Sequence, residues 1–296
     1  MTHMSTRKQA SECHAPIMDA LLDLGASQNT LVAVYRHIDG ADCDAEPIFR
    51  QQLAIEEAKL GPDHPQVAQC VHNLADLYRS LGRYAEALPL FERALTLMSQ
   101  INGPAHSSVA FVLTNLAALK LAQGNCSEAE QLATRAVEML EFTFGAEHPC
   151  VAPALSNLAA AHCYRGNLSQ AAALYKRSVD IWEKVGPDHS AFCANLNNLA
   201  TMYRYLGRYA EAADAYLRAL RCAQRSARSR GSAVGKVLEN YAQLLRITGR
   251  RLEANYIKQL ADNAYPDRAA YRGEVTGRRK LGTRSNRRVQ STVQDR

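Results

Sequence analysis

The 296-residue chain is longer than one hydrophobic core usually serves, so either two domains or a repeat array is expected. Its 47% apolar and 22% charged residues are ordinary for a folded globular protein, and no apolar run approaches the roughly 18 residues of a bilayer span. The net charge of +6 is confined to Pro266–Arg296, where nine basic residues stand against three acids, so the neutral body gives no general argument for nucleic-acid binding.

In chain order, residues 1–17 read as a disordered N-terminus. Behind Arg7 and Lys8 there is no continuous apolar segment, so Met1–Thr30 does not read as a secretory signal. The eight cysteines show no CxxC pair and no metal-site spacing. Several fall at apolar helix positions, where cysteine acts as a small hydrophobe, and a reduced cytoplasmic setting is expected.

Self-similarity dominates the rest. Asn-Leu-Ala begins at Asn73, Asn115, Asn157 and Asn198, and an altered copy begins at Asn240; the steps are 42, 42, 41 and 42 residues. Gly82, Gly124, Gly166, Gly207 and Gly249 keep this register, as do Ala87, Ala129, Ala171, Ala212 and Ala254. A weaker copy contains Ala33, Gly40, Ala45, Pro47 and Phe49. Three independent positions held in one register define a repeat array. The units fall at about 18–59, 60–101, 102–143, 144–185, 186–226 and 227–265.

Each unit reads as helix–turn–helix. In the second, Pro65 suits a first helical position, and Val67, Val71, Leu74, Ala75, Tyr78 and Leu81 form one apolar face. Gly82 ends the helix, and Ala87, Leu88, Phe91, Ala94 and Leu95 line the next. Small residues at 75 and 87 predict close backbone approach. Pro47 and Pro89 lie inside predicted second helices, where proline is expected to kink or loosen the helix start. In the last unit Lys258, Gln259, Asp262 and Asn263 make the second helix polar, as a terminal cap requires.

These positions, with Gly-Pro-Asp-His at 61–64 and 186–189, resemble the tetratricopeptide pattern in the long form of kinesin light chain repeats. The resemblance implies an all-α, right-handed superhelical solenoid of about six helix–turn–helix repeats, with first helices lining a concave groove. A motor-subunit role is not expected, because residues 1–30 supply no sustained heptads.

The family register places Asn73, Asn115, Asn157, Asn198 and Asn240 on the groove floor. Each amide could meet the backbone of an extended peptide or bond a neighbouring helix. Phe111, Leu121, Tyr164 and Tyr205 are candidate apolar pockets, flanked by Arg79, Arg204, Lys236 and Arg246. That set favours a ligand with apolar anchors and acidic residues. A clamp for a terminal carboxylate is not expected, since Ser156, Ala160, Asn197 and Asn198 occupy central positions where such clamps carry cations.

His64, His106, His148 and His189 recur with the period, so they cannot converge on a metal; loop packing or helix capping is the expected role. Gly231–Val237 is one residue short of a phosphate loop and has Val237 in place of the Ser or Thr. No cofactor and no catalysis are expected.

Residues 266–296 read as a disordered basic tail, either solubilising or serving nuclear import or an anionic surface. The expected function is a cytoplasmic, non-catalytic scaffold holding a protein or peptide segment in its groove, without membrane insertion. Alternatives are a structural or sensor array that self-associates or serves a separate ATPase, and a nucleic-acid-associated protein acting through its tail.

Overall fold

The computed structural model describes residues 45–186, 190–225 and 232–264, which form eleven helices and no strands. They are α1 Ala45–Leu60, α2 Pro65–Ser80, α3 Tyr84–Asn102, α4 Ser107–Ala122, α5 Cys126–Phe144 and α6 Val151–Tyr164. There follow α7 Leu168–Val185, α8 Ser190–Tyr205, α9 Tyr209–Arg225, α10 Ser232–Ile247 and α11 Arg251–Ala264. The fold class is all-α. The N-terminal segment, the first helix predicted before α1, His189 and the basic tail lie outside the described residues. The chain divides into two compact units, Met1–Gly166 and Asn167–Arg296.

In the first unit α2 packs on α3 and α4 on α5, with α2, α4 and α6 also meeting in series. In the second, α8 packs on α9 and α10 on α11, and α8 also meets α10. The small residues make this spacing possible. Ala75, Ala117, Ala159 and Ala200 on first helices, and Ala87, Ala129, Ala171, Ala212 and Ala254 on second helices, expose no surface at all. Around them the core is filled by Phe91, Leu113, Leu119, Leu140 and Leu155 in one unit and by Leu196, Tyr216, Leu244 and Leu245 in the other.

The turn between α2 and α3 shows why glycine is needed. Gly82 has φ 73°, and the Arg83 amide reaches back to the Tyr78 carbonyl at 2.9 Å, satisfying an acceptor that the helix end would leave open. A side chain would be strained in that left-handed backbone.

His64 and His106 are helix caps, and His148 makes a like bond in the turn before α6. His64 precedes α2 with extended backbone, and its Nδ1 accepts the Gln66 amide at 3.2 Å. His106 accepts the Ser108 amide at 3.2 Å before α4, and His148 accepts the Cys150 amide at 3.3 Å before α6. His64 and His106 each take one of the donors that a helix start cannot satisfy internally.

A second periodic device is arginine. Arg93 pairs with Glu57 at 2.6 Å, Arg135 donates to the Pro104 carbonyl at 3.0 Å, and Arg218 pairs with Glu183 at 2.7 Å. Each reaches from a second helix back to the preceding loop or second helix of its own unit.

The structure answers two local expectations. The helix containing Pro89 is continuous from Tyr84 to Asn102, with the proline ring on its exposed side, so the missing bond faces solvent. Pro47 lies in α1 near the first described residue, so the start of that helix is outside the described residues. Lys258 is exposed on α11 and Ala254 and Ala261 carry its buried face, as suits a terminal element.

The cysteine reading needs correction. Cys193 on α8 and Cys222 on α9 form a disulfide with their Cα atoms 5.6 Å apart. Two residues separated by 29 positions give no local sequence signal; the helical hairpin brings them together. Cys126, Cys150 and Cys163 are free thiols.

Candidate partner-binding face

The candidate residues sit on first helices. In the first unit, α2 offers Asn73 and Arg79, α4 offers Phe111, Asn115 and Leu121, and α6 offers Asn157 and Tyr164. In the second, α8 offers Asn198, Arg204 and Tyr205, and α10 offers Asn240 and Arg246.

The asparagines are engaged between helices. Asn115 Nδ2 meets His72 Nε2 at 3.2 Å, Asn157 Nδ2 donates to the Thr114 carbonyl at 2.8 Å, and Asn240 Nδ2 donates to Asn197 Oδ1 at 2.9 Å. In all three the partner lies 43 residues earlier, on the preceding first helix. Asn73 instead accepts from Gln69 Nε2 at 3.0 Å within α2. Asn198 is half-buried on α8. Each of the three interhelical bonds engages Nδ2 and leaves one amide hydrogen over, so Asn115, Asn157 and Asn240 are stacking staples first.

The cations differ in kind. Arg79 is held by Asp76 through Nε at 3.0 Å and Nη2 at 2.7 Å, so its charge is matched within α2. Arg204 lies over the Tyr205 ring at 4.4 Å, and its buried Nε has no hydrogen-bond partner. Arg246 and Lys236 are exposed on α10. Among the described residues an ion pair matches Arg79 in the first unit, and none is formed by Arg204, Lys236 or Arg246 in the second.

The aromatic residues are open. Tyr164 is 70% exposed, Tyr205 58% and Phe111 39%, while Leu121 is half-buried. Phe111 lies 6.4 Å from Phe144, which stacks on His148 at 4.9 Å, extending an apolar patch at the start of α4. That patch was not foreseen beyond Phe111, because Phe144 ends a second helix and joins it only through the following loop.

Chemistry is sparse here. Burial pushes the Cys163 thiol up, which leaves it protonated and a poor nucleophile. Among the described residues no group of three His, Cys, Asp or Glu side chains is placed to hold a metal ion, and no helix is long and apolar enough to cross a membrane.

Helical hairpins in series, with alanines buried where the paired helices meet and polar and aromatic residues exposed on first helices, define a helical-repeat protein of the kind that typically serves as an interaction scaffold. The chain belongs to the tetratricopeptide repeat family, whose model matches residues 23–100, 70–141, 108–184 and 150–225.

Solved structures agree on the fold. BtubC (BKLC) from P. vanneervenii superposes with a TM-score of 0.60 at 18% identity, covering 79% of this chain and 90% of that one. A Podosopora anserina protein of kinesin light chain type, built from nearly identical TPR-like repeats, gives 0.57 at 24% identity, covering 68% and 96%. PilF of Pseudomonas aeruginosa gives 0.54 at 17% identity, covering 84% and 95%. No curated protein matches the chain by sequence.

Proposed function

We propose that this chain is a non-catalytic cytoplasmic scaffold whose first-helix face holds a segment of a partner protein. The observation that carries the reading is the exposure of Phe111, Tyr164 and Tyr205 on helices whose opposite faces are fully packed. Aromatic side chains of this kind supply large contact area at low entropic cost. The staples at Asn115, Asn157 and Asn240 fix the spacing of the first helices, and each retains a second amide hydrogen and a carbonyl oxygen able to meet an extended backbone.

The two units contribute unlike chemistry. Phe111, Leu121 and Tyr164 offer apolar contact, whereas Arg204, Lys236 and Arg246 offer positive charge. Taken separately, the first unit favours a ligand segment with apolar anchors and the second a segment with acidic residues.

The test compares pull-downs from cell lysate, read by mass spectrometry, for the wild type and a Phe111→Ser, Tyr164→Ser, Tyr205→Ser variant. These side chains are open to solvent, so the variant keeps its helical circular dichroism. Loss of specific partners by the folded variant supports the reading; an unchanged partner set overturns it.

A further inference from the structure

The Cys193–Cys222 bond occupies a position that the other hairpins fill differently. In the repeat register Cys193 corresponds to Ala68, Ala110 and Ala152, all buried. Cys222 corresponds to Leu97, Met139 and Ile181. Three hairpins thus set a small residue on the first helix and a large aliphatic one on the second. In the α8–α9 hairpin both become cysteine and the two sulfurs are bonded. A pair of half-cystines replaces one small and one large side chain with little change in total volume, while adding a covalent tie between the helices.

We propose that this pair is a redox-controlled lock on the α8–α9 hairpin. The bond closes a loop that contains Asn198, Arg204 and Tyr205, the residues that the second unit contributes through α8. Closing such a loop removes freedom from the opened hairpin and holds α8 against α9. Reduction removes the tie and leaves two buried sulfurs that must separate from bonding to van der Waals distance, so the end of the hairpin loosens.

The step is thiol–disulfide exchange with a small-molecule disulfide such as oxidised glutathione. One cysteine, as thiolate, attacks a glutathione sulfur and releases one reduced glutathione. The second cysteine attacks the resulting mixed disulfide and releases another. Two protein thiols give up two protons and two electrons, and one glutathione disulfide becomes two thiols. A dithiol reverses the sequence. Both cysteines are 3% exposed, so exchange in either direction requires the hairpin end to open.

The lock concerns stability and is independent of partner capture; only its consequence for Asn198, Arg204 and Tyr205 rests on the proposed function. The experiment melts the full chain after equilibration with oxidised glutathione or with dithiothreitol, alongside a Cys193→Ala, Cys222→Leu variant that restores the pair at 68 and 97. Alkylation and non-reducing peptide mass spectrometry identify the bonded cysteines.

The expected result is a 193–222 linked peptide in glutathione and a melting temperature roughly 5 °C or more higher than in dithiothreitol. The double variant folds and melts alike in both. Fully alkylated Cys193 and Cys222 after glutathione treatment would overturn the lock, as would equal responses of wild type and variant to dithiothreitol. An unchanged partner set for the Phe111→Ser, Tyr164→Ser, Tyr205→Ser variant, beside an intact melting difference, would count against the proposed function and leave the lock standing.

Discussion

The amide nitrogen of Asn157 on α6 donates to the main-chain carbonyl of Thr114 on α4 at 2.8 Å, across 43 residues of sequence. This bond joins two first helices that share no turn. Replacing Asn157 with alanine is expected to lower stability by about 1 kcal/mol, the usual net worth of such a bond. Asn157→Asp keeps the shape but puts an oxygen where the donor stood, so it should cost at least as much. Thermal or urea unfolding of both variants checks the order; an aspartate variant as stable as wild type would show that the bond contributes nothing.

The histidine before α4 should behave as a cap. His106→Ala removes the acceptor of the Ser108 amide and is expected to cost about 1 kcal/mol, whereas His106→Asn or His106→Asp should recover most of it. Comparing the three by urea unfolding separates capping from general loop packing, under which no side-chain oxygen would rescue the loss.

Ala117 is fully buried on α4. Ala117→Leu should destabilise by about 1–3 kcal/mol, because the added atoms must force neighbouring helices apart. Ala85→Leu, at an exposed position of α3, should stay within about 0.5 kcal/mol of wild type. Equal effects at the two sites would show that Ala117 is not at a point of close helix approach.

Glu46 on α1 gives a pH dependence. Its carboxylate accepts from Arg83, and also from Tyr78 at 2.9 Å, and these bonds hold its carboxyl below the ordinary carboxylate range. A lowered folded value means that the contribution is present above the unfolded value and is lost as pH falls through the folded one. The Glu46→Gln variant should therefore lose less stability than wild type as pH is lowered through the acidic carboxylate range. Parallel melting curves for the two proteins would refute the role.

Much of this was legible in the sequence because repetition multiplies weak signals. One glycine after an apolar stretch says little, but Gly82, Gly124, Gly207 and Gly249 in one register identify helix ends, and each has positive φ. Ala75 and Ala87 were read as contact points from their size and spacing, and both are fully buried. The arginines at 93, 135 and 218 share a register too, yet their function depends on partners in the preceding hairpin, which a single-position pattern does not reveal. The disulfide was invisible for the same reason, since Cys193 and Cys222 each occupy an ordinary core position of their own helix. The groove asparagines carried two readings; Asn157 and Thr114 establish stacking, and peptide contact is an additional proposal.

The central claim is that a partner lies on the first-helix face. A photo-reactive phenylalanine analogue placed at Tyr164 on α6 and, separately, at Gln131 on α5 tests it directly, since both positions are exposed and both lie in the first unit. Irradiation with the partners captured by the wild-type chain should give a cross-linked adduct from position 164 and none from position 131. Adducts from position 131 alone, or equally from both, would contradict the account.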